Sequence, residues 1–294
     1  MLPAPGLSAA LTRLWLPRAS LTSCLRGVMS RSTLGVALPP AQRFNHFPAS
    51  PLCSISWWFH GESELLAPGA PATLDAPRST HLPARILFSG PHTLPSVSWN
   101  PGEVHGMMLL ILPDALHRMT GIDIAPWVNR FADPRDVLPA AWWPVCEAVL
   151  AARDDDARVE MLQDFLDPLW QAARPRQPLQ GHRYQDWAQA LALRAATSGS
   201  GRSLRQVERR IKQWAGLPLR ELRGVGRSEQ AFFRGLAAAE SGEPPRWTDV
   251  AQASGYADQS HLCRETRRIT GFTPDDLYRR IAEEESFWSY RVWQ

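Results

Sequence analysis

Apolar and polar positions follow two different rhythms along the chain. Between residues 44 and 112 the apolar positions come in short runs. Cys53-Ser54-Ile55-Ser56-Trp57-Trp58-Phe59 alternates and then turns aromatic, and Arg85-Ile86-Leu87-Phe88 and Met107–Leu112 are brief apolar stretches. Turn-forming residues bound them: Ser89-Gly90-Pro91, Asn100-Pro101-Gly102 and Pro113-Asp114. A period of two, broken by Gly and Pro about every 8–12 residues, predicts the strands of an antiparallel sheet or small barrel. From residue 114 the spacing lengthens to that of helices. Asp114–Thr120 before Gly121, Trp142–Ala152 and Arg158–Ala173 are the predicted helices, with Val159, Leu162, Phe165, Leu166 and Leu169 on one side of the last. The proline-flanked segment 174–178 reads as a linker.

Beyond the linker two segments share one design. Ser203 is a helix cap with Gln206 three residues on. After it Leu204, Val207, Ile211 and Trp214 fall within about 80° of one another at helical spacing. Arg205, Glu208, Arg209 and Lys212 gather on a different face, and Ala215-Gly216 ends the helix. Farther on, Trp247–Ala253 reads as a short helix and Ser254-Gly255-Tyr256 as a turn. Asp258 caps a second helix, Gln259–Thr270, with Leu262, Thr266 and Ile269 inward and Gly271 as its stop. Ser260, Arg264, Arg267 and Arg268 lie outward, flanked by His261. Thr273 and Pro274 start another helix. A short helix, a glycine turn and a second helix with a polar, basic outer face is helix-turn-helix grammar. The DNA major groove admits one α-helix, and Arg, Gln, Asn, Ser and Thr read its base edges. An ordinary amphipathic helix would also show a solvated cationic face, but two such units with matching stops in one basic region favour nucleic acid.

Charge sharpens this division. The 294 residues carry a net +3, but residues 1–61 hold five Arg and no acid, residues 62–179 sum to −6, and residues 180–294 sum to +4. A basic C-terminal third beside an acidic middle fits a second module that faces a polyanion. The basic residues are Arg except for Lys212. Hydrophobic residues at 44% and charged residues at 21% are ordinary for a globular protein. No apolar run approaches the length of a transmembrane helix. Four separated cysteines without a C-x-x-C pair argue against a zinc ribbon or disulfide framework and fit a reducing compartment. Residues 1–33 are Arg-containing, Ser-rich and acid-free, like a targeting presequence or an extension from an upstream start, with Met29 as an alternative start.

Candidate chemistry is sparse. His46, His60, His81, His92 and His105 could converge in a barrel as metal ligands, yet no two have tight ligand spacing. Asp154-Asp155-Asp156 reads as a helix cap and solvated turn. No phosphate-binding glycine loop or nucleophile elbow occurs. No catalytic, cofactor or metal-binding residue is assigned.

The run from Asp249 to Arg279 closely resembles the second helix-turn-helix of AraC/XylS-type transcriptional regulators. It matches that family's pattern at Ala251, Gly255, Tyr256, Asp258, Gln259, Ser260, His261, Arg264, Gly271, Thr273, Pro274 and Arg279. Ser203–Lys212 with Gly216 and Leu222 resembles the first recognition helix and its sequel. Phe44–Gly61 and Gly90–Gly121 resemble, more loosely, the β-rich N-terminal domain of one subgroup. The resemblance implies two helix-turn-helix units joined by a long helix near Leu219–Ala238, with both recognition helices in successive major grooves. Arg205, Glu208 and Arg209 would then face bases from the first helix, and Ser260, His261 and Arg264 from the second, with Gln259 beside them. Lys212, Arg267 and Arg268 would meet phosphates. Two departures stand out: Thr266 replaces the family's usual Phe, and Thr197-Ser-Gly-Ser-Gly201 replaces a compact turn.

The expected architecture is therefore α+β with two domains. A leader or mis-assigned start occupies residues 1–36. A β-rich, barrel-like sensor or dimerisation domain with helical extension spans 37–175, an all-α DNA-binding domain with two helix-turn-helix units spans 180–285, and an aromatic tail spans 286–294. The expected function is that of a sequence-specific DNA-binding transcriptional regulator, an activator by family habit, cytoplasmic and associated with a bacterial nucleoid. Its expected partners are double-stranded DNA, a small-molecule effector at the N-terminal domain, RNA polymerase and a second copy of the chain. The competing reading is a metal-binding β-barrel or enzyme with a helical appendage.

Overall fold

The computed structural model describes residues 11–81, 85–175, 183–198, 203–240 and 245–293. The ten described strands are β1 (Thr12–Trp15), β2 (Leu25–Ser32), β3 (Phe44–Phe47), β4 (Cys53–His60), β5 (Glu64–Leu66), β6 (Arg78–His81), β7 (Ile86–Ser89), β8 (Ser96–Trp99), β9 (His105–Ile111) and β10 (Phe131–Ala132). They form a six-stranded sheet, β1-β2-β9-β4-β7-β10, and a four-stranded sheet, β3-β8-β5-β6, with antiparallel pairing throughout. The two sheets face one another as an open, barrel-like cup.

The alternation in β4 gives its two faces different tasks. Cys53, Ile55 and Trp57 join Leu109 and Ile111 of β9 in the main core. Helices α1 (Pro113–Thr120), α2 (Trp143–Ala151) and α3 (Asp155–Ala173) cover that side, contributing Leu116, Val149, Leu162 and Leu166. The Trp57 indole donates to the Cys146 carbonyl at 3.0 Å, so the ring is buried with its N–H satisfied. Ser54 and Ser56 point to the opposite side, as the period of two requires.

Residues 11–36 correct the expectation of a leader outside the fold. β2 is an interior strand, paired with β1 on one side and β9 on the other. Leu25, Val28 and Met29 are buried there, and Met29 lies in mid-strand. The Arg- and Ser-rich composition hid the strand because Arg26 and Arg31 find carboxylate partners at 2.6 and 2.7 Å. The remainder of the supposed leader, residues 1–10, lies outside the described residues, as do residues 176–178 of the proposed linker and residues 199–201 of the Gly/Ser stretch.

The C-terminal third is helical: α4 (Tyr184–Thr197), α5 (Leu204–Ala215), α6 (Leu219–Glu240), α7 (Trp247–Ala253), α8 (Gln259–Thr270) and α9 (Pro274–Glu283), then a short helical turn, Trp288–Arg291. Its first part is not separate from the sheet. Trp187, Leu191, Ile211 and Leu222 belong to the same apolar cluster as β4 and β9. Trp187 donates to Asp114 at 2.7 Å, and Arg194 pairs with the same carboxylate. By contrast, Trp247, Val250, Ala251, Tyr256 and Leu262 make a small core of their own. The four cysteines are free, and no helix among the described residues is long and apolar enough to cross a membrane.

Candidate nucleic-acid interface and cavity

The helix expected to be the first recognition helix is α5. Ser203 caps it by accepting from the Gln206 amide at 3.4 Å, and Gly216 at φ 76° ends it. Ile211 and Ala215 are buried, whereas Leu204 is 86% exposed and leaves the predicted apolar stripe. The reason is position: α5 packs through its later turns on α1 and residues 124–128, where the Ile124 amide donates to the Gln213 carbonyl at 3.0 Å. Its first turn projects past that contact. Arg205, Arg209 and Lys212 are exposed. Glu208 is half-buried, with one carboxylate oxygen shielded.

The second recognition helix is α8. Asp258 caps it by accepting from the His261 amide at 2.6 Å, and Gly271 at φ 87° closes it. Leu262, Ile269 and Thr270 are buried. Gln259, Ser260, Arg264 and Arg267 are exposed on the outer face. Gln259 accepts from the Thr248 hydroxyl at 3.1 Å, which ties the start of α8 to α7. His261 is half-buried, edge-on to the Tyr256 ring at 5.2 Å. Arg268 is committed within the chain: it pairs with Glu265 at 3.0 Å and with Glu221 of α6 at 3.3 Å, and those carboxylates raise its pKa against the opposing effect of burial.

Behind α8 lies a cavity of about 330 Å³ between the cup and the C-terminal helices. Met29, Leu65, Leu87 and Leu110 line it from the sheets, Phe232 from α6, and Leu262, Thr266 and Ile269 from α8. Thr266, which stands where the resemblance leads one to expect Phe, is thus part of the cavity wall. No sequence pattern assigns this lining. Its one visible signal is the Ser-Ile-Ser alternation at the start of β4, which marks a small, polar inner face.

The domain junction is polar, aromatic and tightly bonded. Arg26 pairs with Glu229 of α6, and Arg31 pairs with Glu285, which also holds Arg291 at 2.9 Å. Trp288 donates to Asn45 at 2.8 Å, and Ser289 donates to the His46 carbonyl at 2.5 Å. His46 stacks on Phe287 with centroids 4.4 Å apart, and burial followed by the nearby Arg280 charge pulls its pKa down to about 4. The Ala49 amide donates to the Ile269 carbonyl at 2.7 Å, linking the β3–β4 connection to the last turn of α8. The aromatic tail therefore packs against the N-terminal sheet.

The described histidines do not gather as a set: His60 stands opposite His105 across β4 and β9, and the others lie apart. His46 faces Phe287, the His92 Nε2 is 2.9 Å from the Ser89 hydroxyl, and His105 bonds Asp155 at 3.1 Å; the His81 side chain lies outside the described set. Among the described residues no group of three His, Cys, Asp or Glu side chains could hold a metal ion. Asp154 caps α3 by accepting from the Ala157 amide at 2.8 Å, as its position in the acidic run predicts.

Residues 245–277 match the sequence model of bacterial regulatory helix-turn-helix proteins of the AraC family. No curated protein matches the chain. Among solved structures, a ligand-free variant of ToxT from Vibrio cholerae is similar at 11% identity, covering 85% of this chain and 95% of that one, with a TM-score of 0.39. ToxT in a second crystal form shows 11% identity over 82% of this chain and 96% of that one, TM-score 0.36. A third, ToxT bound to an unsaturated fatty acid, shows 11% identity over 82% and 95% of the two chains, TM-score 0.32.

Proposed function

We propose that this chain, whose residues 245–277 are an AraC-type helix-turn-helix, is a sequence-specific transcriptional regulator that responds to a small molecule. The observation that carries this reading is the outer face of α8. A capped, glycine-stopped helix presents Gln259, Ser260 and Arg264 to solvent while its back is packed. These side chains can bond base edges in a major groove. Arg205 and Arg209 of α5 offer a second reading face, with the half-buried Glu208 and His261 setting the edges of the two faces. Lys212 and Arg267 are placed for phosphates, which fix register without reading sequence. The reading contains no reaction step. Its setting would be the cytoplasm and nucleoid of a bacterium, with RNA polymerase and a second copy of the chain as protein partners.

Regulation follows from the cavity touching both halves. A ligand that contacts the cup and the back of α8 changes the relative stability of their docked and undocked arrangements. Coupling of this kind shifts DNA affinity by an amount equal to the ligand's preference for one arrangement.

The exposed cations divide by partner. Arg267→Ala should weaken binding to every sequence and reduce the slope of log affinity against log salt by about one. Arg268→Ala should lower thermal stability, by releasing α8 from Glu221 of α6, and leave that slope unchanged. A salt titration on specific and random duplexes separates the two outcomes.

The reading as a whole is tested by incubating the purified chain with sheared genomic DNA from its source and sequencing the bound fragments. A recurrent motif of two boxes about one helical turn apart is the expected result. No enrichment by the full chain, with or without its ligand, and none by residues 180–294 alone would overturn it.

A further inference from the structure

The cavity wall is built from one face of each sheet. Along β4 the residues facing the helices are large, and those facing the cavity include Ser54 and Ser56. Cross-strand register places Ser54 between Leu110 and Ser89, and Ser56 between Met108 and Leu87. Two hydroxyls therefore sit among mainly apolar cross-strand neighbours, with Ser89 beside Ser54. Two other serines of the wall have partners: Ser98 accepts from Asn45 at 3.2 Å, and Ser89 meets His92. Ser54 and Ser56 make no side-chain hydrogen bond among the described residues, and their hydroxyls are not sealed from the cavity.

The charged groups at the wall are engaged with one another, and Glu285 serves Arg291 as well as Arg31. Arg26 meets Glu229 at 2.6 Å, and Arg31 meets Glu285 at 2.7 Å with both side chains at most 10% exposed. Burial pulls the His92 pKa down to about 4, so this ring is uncharged near neutral pH. Burial also pushes the phenols of Tyr184, Tyr278 and Tyr290 upward, which keeps them neutral. An anionic ligand would have to draw Arg26 from Glu229, leaving that carboxylate only the Tyr184 amide, or draw Arg31 from Glu285, leaving it Arg291 alone, and either exchange breaks a buried ion pair. A cationic ligand finds no carboxylate without its own arginine here. A neutral ligand asks only that its polar group be bonded.

We propose that the cavity takes an uncharged, mainly apolar molecule that presents a hydroxyl or carbonyl group to Ser54 and Ser56; that such a molecule acts as the effector rests on the regulator reading above. The small serines create the space as well as the polarity, because a branched residue at either position would occupy it. The ligand bridges the cup and the back of α8, where Thr266 leaves room that a larger side chain would fill.

The test uses the full chain and two probes of equal chain length, decanol and decanoate, at neutral pH. Binding is read from intrinsic tryptophan fluorescence, since Trp58, Trp288 and Trp293 line the cavity, and from thermal shift. Decanol should bind at least about tenfold more tightly than decanoate. Ser56→Val suits a strand and should lower decanol affinity at least about tenfold by filling the cavity. Ser56→Ala keeps the space and should lower it about two- to tenfold through the lost hydrogen bond. Decanoate binding as tightly as decanol, no decanol binding up to its solubility limit, or unchanged affinity in a natively folded Ser56→Val would each overturn the proposal. Decanol that binds as expected but leaves DNA affinity unchanged upholds the ligand class and counts against the effector role alone.

Discussion

Glu285→Ala should remove about 3–5 kcal/mol of stability, because it leaves the Arg31 guanidinium buried without its carboxylate. Arg31 lies in the interior of the six-stranded sheet and is 5% exposed. Burial lowers its pKa, and Glu285 opposes that shift. Glu285 also holds Arg291, so its removal leaves two arginines facing each other across the domain junction. The Trp288 ring, 5.1 Å from the Arg31 guanidinium, offers only partial compensation. Urea unfolding should show a lower midpoint, and hydrogen exchange should show lost protection in β2 and residues 284–292. Arg31→Met should cost less, since Glu285 keeps Arg291. Equal losses in the two variants would assign the effect to packing rather than to charge.

The double substitution Arg209→Ala/Arg264→Ala should cost about 2–6 kcal/mol of specific DNA affinity if each arginine reads one base. The two residues stand on different helices with no shared partner, so their effects should add. Both are exposed, so neither change disturbs a core. Binding to random DNA should fall far less, and the two-box motif should vanish from the genomic selection. Equal losses on specific and random duplexes would remove both residues from the reading face and make them phosphate contacts instead.

These expectations draw unequally on sequence and structure. Caps and stops were legible because their chemistry is local: Ser203, Asp258 and Thr273 each accept from an amide two or three residues into the helix, and Gly216 and Gly271 take up positive φ. Periodicity also placed the strands of residues 44–112 and the helices after them. β1 and β2 were missed because a strand with Arg26 and Arg31 reads as polar until Glu229 and Glu285 are brought to it, some 200 and 250 residues away in sequence. Leu204 was misread because amphipathic spacing says which residues share a face but not how far along the helix a partner extends. Arg268 shares the cationic face of α8 in projection, and its pairing with Glu221 on a different helix could not be read from that face. The cavity was invisible for the same reason, since its wall gathers residues from β2 to the tail.

The bond from the Ala49 amide to the Ile269 carbonyl has a consequence of its own. Carbonyls in the last turn of a helix lack intrahelical partners. Here the N-terminal half of the molecule supplies one for α8, completing the end of a structural element that belongs to the other half. Undocking the two halves would thus also unfinish α8, coupling the separation of two bodies to the fraying of the surface proposed to read DNA. Because donor and acceptor are both main chain, the coupling is written in no side chain. Alanine scanning across this junction would pass over it without a signal, and a chain carrying any residue but proline at position 49 would still possess it.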